Sequence, residues 1–402
     1  MEQTGEGVKE KDFQLPAVGL GEVVVRMEVA AVNAQDVMYV QGLCPMAKRL
    51  PSVPGLEGAG TVIATGGGPT TWGLMGKRVS VLATDPLLPG TWAHFTVVPA
   101  SACYSLREDL SFEAGACLFV SPFTVCMFEE CIERGKHTAV ILTVSASALS
   151  QMILRALKAK NVTSVCVVNS DVQKERLERA GATHVLLSGD GEFESRLNAL
   201  STELNITCAF DALGGSIGCA VFNALQAGAT LYSYSAVNAE PILNTIHIES
   251  LIFGRKRLQG LALLPWLAQK SYLQRAALVR RIQAHQDIYG SDIAMEFLLG
   301  DAQEALKYHR KFKSRGKVLL RMRTVYQKAT VPENTSDSQT LAQRLGGRLK
   351  TLWEKEPAAK PAEIEMGHVE GDFHHLWDPA HQQEPDYLAS FREDKDSSDN
   401  EP

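Results

Sequence analysis

The chain is 402 residues long, 45% apolar and 21% charged, with a formal net charge of −6. This is the balance of a globular protein with room for two domains and a tail, and the negative charge gives no reason to expect nucleic acid as a partner. No apolar run reaches the roughly 18–20 residues that span a bilayer, so no membrane segment is expected.

Residues 1–12 are polar and acidic, with neither an apolar signal region nor an Arg-rich amphipathic presequence. The expected location is the cytoplasm, with the mitochondrion as the alternative. Residues 20–32, LGEVVVRMEVAAV, read as a strand and lead into Asn33-Ala34-Gln35-Asp36. A turn at 51–60, PSVPGLEGAG, enters a strand at 61–65, and further strands begin near Gly76 and Gly90. Short strands with glycine turns and no long helix predict a small, partly closed β-barrel. A helix carrying Ala114 and Leu118, then Ser121-Pro122-Phe123-Thr124, leads into a second unit.

That unit starts with a short β-branched run at 138–144, which predicts a buried strand. Ala148, Met152 and Ala156, with Leu149, Ile153 and Leu157, then recur at helical spacing. Strands at 164–168, 184–187, 208–211 and 230–234 follow, alternating with helical patterns such as the Phe193, Leu197, Leu200, Leu204 stripe. Such alternation predicts a parallel, doubly wound sheet with right-handed crossovers. The turn after its first strand is Ser145-Ala146-Ser147-Ala148-Leu149-Ser150. In a dinucleotide-binding unit a G-x-G-x-x-G stretch at this place lets the backbone approach a diphosphate held at a helix N-terminus. Here all three glycine positions are serine. The eight cysteines (Cys44, Cys103, Cys117, Cys126, Cys131, Cys166, Cys208, Cys219) are scattered, with no CxxC pair and no zinc-site spacing. They read as reduced, buried thiols, and no protein-bound metal is expected.

The order PSVPGLEGAGTVIATG, GKRVSV, GTWAHFTVVP, VSPFTV, FDALGG and LIFGRKRLQGLALLPWL resembles the medium-chain dehydrogenase/reductase superfamily over about residues 15–322. Within it, the zinc-free quinone oxidoreductases and enoyl-thioester reductases are the most similar branches. Where zinc-binding members have a GHE segment, this chain has Gly55-Leu56-Glu57, and their four-cysteine lobe is absent. The resemblance implies an α/β protein: a GroES-like partly closed β-barrel domain, a doubly wound Rossmann domain and a C-terminal extension. The implied boundaries are 1–122 with 268–323 for the GroES-like substrate domain, 123–267 for the dinucleotide-binding domain and 324–402 for the extension. The implied chemistry is hydride transfer from a nicotinamide to a carbon conjugated with a carbonyl, as in an enone, a quinone or a 2-enoyl thioester. The cofactor supplies that chemistry, and the protein supplies orientation and donors for the developing enolate oxygen.

Carried over residue by residue, the resemblance assigns cofactor contacts to Ser145, Ala146, Ser147, Ala148, Leu149, Ser150, Asn169, Ser170, Lys174 and Tyr234. Asn169 and Ser170 end the second strand with no acidic residue to favour NAD and no family arginine, and Lys174 is within range of a 2′-phosphate. NADP (NADPH) is the favoured cofactor. The reactive pocket is assigned to Asn33, Tyr39, Cys44 and Thr124. Cys44 occupies the place of the tyrosine that is a proposed proton donor in enoyl-thioester reductases, and a thiol is a weak donor. Tyr39 lies on the same segment as its substitute. Ser150, Asn169, Cys44, Ser121 and Ser235 all depart from the pattern where ligands touch. The alternative function is therefore a catalytically degraded relative that has lost its cofactor. Relatives commonly pair through the sheet edge of the nucleotide-binding domain, so the resemblance implies a homodimer.

Residues 331–402 hold 16 acidic and 7 basic side chains. Leu341, Leu345, Leu349, Leu352 and Trp353 line one stripe of a predicted amphipathic helix over 338–355. Beyond it, acidic and proline-punctuated composition predicts a largely disordered tail. Its apolar islands around Phe373 and Tyr387 suit a protein partner, which would make the degraded relative a scaffold.

Overall fold

The computed structural model describes residues 8–42, 52–143, 147–235, 246–312, 315–322 and 362–364. In chain order, β1 (Val8–Glu10), β2 (Glu22–Val32), α1 (Ala34–Val40), β3 (Glu57–Thr65), β4 (Arg78–Leu82), β5 (Phe95–Pro99) and β6 (Cys103–Ser105) come first. Helices α2 (Phe112–Gly115) and α3 (Val120–Gly135) lead out of this layer. Pro122 falls in the first turn of α3, where its missing N–H costs no helical hydrogen bond. The expected single helix is thus two, broken between Gly115 and Val120.

The second layer alternates β7 (Ala139–Thr143), α4 (Ala148–Ala159), β8 (Thr163–Val168), α5 (Asp171–Arg179), β9 (His184–Leu187), α6 (Phe193–Glu203), β10 (Cys208–Asp211), α7 (Gly215–Ala224), β11 (Thr230–Ser233), α8 (Ile248–Ile252) and β12 (Arg257–Gly260). Helices α9 (Leu263–Ala268), α10 (Tyr272–Ala284) and α11 (Gln286–Tyr289) precede the return through β13 (Ile293–Leu298), α12 (Ala302–Lys311) and β14 (Lys317–Arg321). Within the C-terminal extension, β15 (Ala362–Ile364) pairs antiparallel with β1. The predicted helix at 338–355 and the rest of 324–402 lie outside the described residues.

The barrel sheet runs β13-β14-β2-β3-β4-β6, with β5 paired to β2. Of its two return strands, β14 joins β2 from nearly 300 residues away in the chain, with Leu319 opposite Ala31, and β13 adds to β14 at the edge. The second sheet runs β12-β11-β10-β7-β8-β9, all parallel. The chain leaves β7 toward β8 on one side and resumes at β10 on the other, which makes the β7–β10 boundary the topological switch point. The central strands β7, β8 and β10 are buried almost throughout because helices cover both faces. On one face α3 lays Phe128 flat on Phe210 (ring centroids 4.0 Å apart, planes 11° apart), and Phe210 stacks on Tyr232 at 5.5 Å.

Helix α10 packs on α3 and helix α11 on α4. Arg281 of α10 pairs with Glu129 of α3 at 2.6 Å, and Tyr289 of α11 donates its hydroxyl to the same carboxylate at 3.0 Å. Arg155 of α4 donates to the Ile288 carbonyl at 3.0 Å. Among the described residues no helix is long and apolar enough to cross a membrane.

Candidate functional site

The switch point brings the C-terminal ends of β7 and β10 side by side, with Asp211 in register with Thr143. In open α/β sheets, ligands bind outside these strand ends. Helix α4 begins here. Its cap, Ser147, has extended backbone (φ −79°, ψ 169°), and its hydroxyl accepts the Ser150 N–H at 3.3 Å. The Ser150 hydroxyl lies 3.0 Å from that of Ser147, and Ser150 is 3% exposed. The added hydroxymethyl group at the third glycine position therefore folds into the helix start. Val144, Ser145 and Ala146 lie outside the described residues. Ala148 and Leu149 occupy the first turn, where helical N–H groups have no intrahelical partner.

One strand over, Asn169 is exposed at the end of β8 and donates its N–H to the Gln173 side chain at 3.4 Å. Ser170 caps α5, and Lys174 stands half-buried just beyond the cap. On the other side Tyr234 follows β11, donates its N–H to the Asp211 carbonyl at 3.0 Å and meets Phe128 edge-on at 4.8 Å. Burial, with the Asp211 charge nearby, pushes the Tyr234 hydroxyl well above the ordinary tyrosine range.

The pocket residues assigned to the barrel are distributed differently. Asn33 is 4% exposed, and both ends of its amide are engaged. Its Nδ2 donates to Glu57 Oε1 at 3.1 Å, and its Oδ1 accepts Lys317 Nζ at 2.5 Å. Lys317 also donates to Glu57 Oε1 at 3.1 Å, while Glu57 Oε2 accepts the N–H groups of Phe119 and Val120 at 2.9 Å each. Asp36, one turn into α1, accepts the Asn33 N–H at 2.8 Å and the Leu56 N–H at 3.0 Å. Tyr39 packs its ring on the barrel core and hydrogen-bonds through its hydroxyl to Ser52. Thr124 donates its hydroxyl to the Val120 carbonyl at 2.6 Å. Cys44 lies outside the described residues.

The turn holding Glu57 is rigid. Gly55 has φ +101°, and a Cβ there would run into Trp92 and Thr91. Thr91 donates to the Glu57 carbonyl at 2.9 Å, and Trp92 donates to the Ala31 carbonyl at 3.1 Å. Electrostatics follow from burial. Burial is the largest single influence on Lys317 and would lower it, but the charge and hydrogen bond of Glu57, together with contributions from Cys117 and Asp36, hold Lys317 above the ordinary lysine value. Burial raises Asp36 from 3.8 to about 7 against the two backbone donors, with the Glu57 charge adding to the rise. Among the described residues no group of three His, Cys, Asp or Glu side chains is gathered to hold a metal ion.

The fold thus unites Ser147, Ala148, Leu149, Ser150, Asn169, Ser170, Lys174 and Tyr234 around the strand ends of one sheet. It places Asn33 in a buried polar cluster whose other members, Asp36, Glu57 and Lys317, the sequence reading did not single out as site residues. Thr143 and Asp211 were missed as well. The available signals were a lone lysine opening the apolar run KVLLR and an aspartate ending the apolar run CAFD.

Residues 19–108 match the alcohol dehydrogenase GroES-like domain family. The mitochondrial enoyl-[acyl-carrier-protein] reductase of Arabidopsis thaliana is 25% identical over 266 residues, covering 63% of this chain and 68% of that protein. A putative NADPH:quinone reductase from Mesorhizobium loti superposes with a TM-score of 0.69 at 25% identity, covering 80% of this chain and 100% of that one. A mycobacterial structure complexed with NADPH superposes with a TM-score of 0.65 at 20% identity, covering 79% and 100%.

Two outcomes follow from the buried cluster. Glu57→Gln leaves Lys317 without its counter-charge and turns an amide donor toward other donors, so urea unfolding should report a loss of about 3–5 kcal/mol. Asp36 holds its proton to about pH 7 when folded but only to about 3.8 when unfolded. The native state binds more protons between those values, so this group makes stability fall as pH rises, by up to ~1.4 kcal/mol per unit. Asp36→Asn should flatten the slope seen by urea unfolding between about pH 5 and about pH 7.

Proposed function

We propose, from its match to the alcohol dehydrogenase GroES-like domain family over residues 19–108 and its similarity to enoyl-[acyl-carrier-protein] and quinone reductases, that the chain is an NADPH-dependent reductase of the zinc-free medium-chain dehydrogenase/reductase type. Its substrate would be a small molecule with a carbon conjugated to a carbonyl: an enone, a quinone or a 2-enoyl thioester. The observation that carries this reading is the start of α4. The serine at the last glycine position has its hydroxyl folded against Ser147, so it does not fill the space outside the strand ends.

The residues present fit a dinucleotide. The N–H groups of Ala148 and Leu149 in the first turn of α4, with the Ser147 cap, suit a diphosphate. Asn169 and Ser170 offer the adenosine ribose no carboxylate, and Lys174 gives a cation for a 2′-phosphate, which favours NADPH over NADH. Tyr234, neutral and braced by Phe128, borders the nicotinamide side. When bound, the cofactor supplies the hydride.

The chain's own part is to polarise the substrate carbonyl and deliver a proton. Tyr39 takes that role in our reading, its hydroxyl oriented by Ser52. Cys44 is a weaker donor on the same segment. Asn33 steadies the segment from below through Lys317 and Glu57. A homodimer fits the edge of the second sheet, where all four residues of β12 are exposed beside Ile248, Ile252 and Phe253 of α8.

NADPH titration with nicotinamide fluorescence and thermal melting tests the cofactor. Ligand at about 100 times its Kd should add about 2.7 kcal/mol and raise Tm by several degrees. No binding and no shift would favour the scaffold alternative. Tyr39→Phe should lower kcat on a 2-enoyl thioester or quinone by about 10²-fold or more while NADPH affinity holds. Unchanged kcat would remove Tyr39 from the chemistry.

A further inference from the structure

Resting on the nucleotide-binding reading above, we propose that Thr143 and Asp211 form a clamp across the switch point that positions the crevice for the dinucleotide, replacing part of the constraint that glycines provide elsewhere. Thr143 is the last residue of β7 and directly precedes the serine-rich turn; Asp211 is the last residue of β10. Both are buried, at 0% and 3% exposure. The Thr143 hydroxyl donates to Asp211 Oδ1 at 2.5 Å and accepts the N–H groups of Ala212 at 2.8 Å and Leu213 at 3.4 Å. Asp211 Oδ1 accepts Leu213 N–H at 3.1 Å, and Oδ2 accepts Gly214 N–H at 3.0 Å.

Three successive backbone donors of the loop after β10 are therefore drawn inward onto one side-chain pair. The loop turns through left-handed backbone at Gly214 (φ +65°) and Gly215 (φ +58°) before α7 begins. That helix packs directly on the clamp, since a Cβ on Gly218 would come within 2.8 Å of Asp211 Oδ2. The Asp211 carbonyl also accepts the Tyr234 N–H. One buried pair thus holds the ends of β7, β10 and β11 and the entry to α7, the segments that surround the space proposed for the cofactor. Preorganising a site in this way improves affinity because less ordering is left for the ligand to impose.

Thr143→Val keeps the branched shape but deletes the donor and the acceptor, leaving buried N–H groups unsatisfied. Thr143→Ser restores both. With the full chain, NADPH affinity by nicotinamide fluorescence should weaken about tenfold in Thr143→Val, or about 1.4 kcal/mol, and recover in Thr143→Ser. Hydrogen exchange of the peptide 211–218 should quicken in Thr143→Val and recover with it. Wild-type affinity in Thr143→Val overturns the proposal, as does unchanged exchange. If wild type itself binds no NADPH, the cofactor reading falls and with it the clamp's ligand. Quickened exchange would then still identify the pair as the element ordering the switch point.

Discussion

A single buried carboxylate holds the two halves of this protein in one frame. Glu57 is fully buried, and two hydrogen bonds reach each of its oxygens. Those donors come from the start of α1, from β14 and from the first turn of α3, segments that lie far apart in the chain. The α3 end is favourable for a second reason, because a helix N-terminus carries partial positive charge. Lys317 neutralises the remaining charge from within the core. A buried ion pair of this kind contributes little net stability over a well-packed apolar pair, but leaving one member unpaired is expensive. Its effect is specificity: only one arrangement of barrel, returning strand and helix satisfies every group.

The consequences run along α3. Its first turn is fixed by Glu57, its middle lays Phe128 on Phe210, and Glu129 collects Arg281 and Tyr289 from the helices that follow the second sheet. Phe128 also braces Tyr234. The helix therefore connects the polar cluster under the barrel segment 33–42 to the strand ends of the parallel sheet. A reductase needs substrate and nicotinamide brought together from two domains, and such a rigid member between them limits the error in their relative placement.

Much of the fold was legible because its signals are local. The strands at His184–Leu187 and Cys208–Asp211 fall where apolar runs placed them, and the parallel order follows from strict strand–helix alternation. The barrel was harder to read in detail. Of its return strands, β14 pairs with β2 nearly 300 residues earlier while β13 pairs with β14, and no local pattern encodes the long-range register. The site was legible in its place but less so in its members. Serines at 145, 147 and 150 draw attention because they break a spacing rule, yet only coordinates reveal that Ser150 turns its hydroxyl to Ser147. Asn33 matches a family motif, but its engagement with Glu57 and Lys317 depends on a strand that arrives 284 residues later. Glu57, Lys317, Thr143 and Asp211 carry no periodicity at all; each is a polar residue at one end of its strand.

The concentration of departures at ligand-facing positions has a stability explanation that does not require lost function. Inside the frame, polar groups saturate one another. Replacing Glu57 or Lys317 orphans a buried charge, and replacing Thr143 orphans buried N–H groups. Such positions tolerate almost nothing. At the crevice, two of the exchanged residues have partners nearby: the Ser150 hydroxyl lies against that of Ser147, and the Asn169 N–H donates to the Gln173 side chain. Exposed changes such as that at Asn169 usually alter stability by no more than about 0.5 kcal/mol, and the buried Ser150 hydroxyl has Ser147 as its partner. Sequence can therefore change there at little cost to folding, and the main-chain N–H groups in the first turn of α4 do not depend on the side chains attached to them. The departures show where the fold is permissive, while the geometry around Thr143 and Asp211 determines whether the crevice keeps its shape.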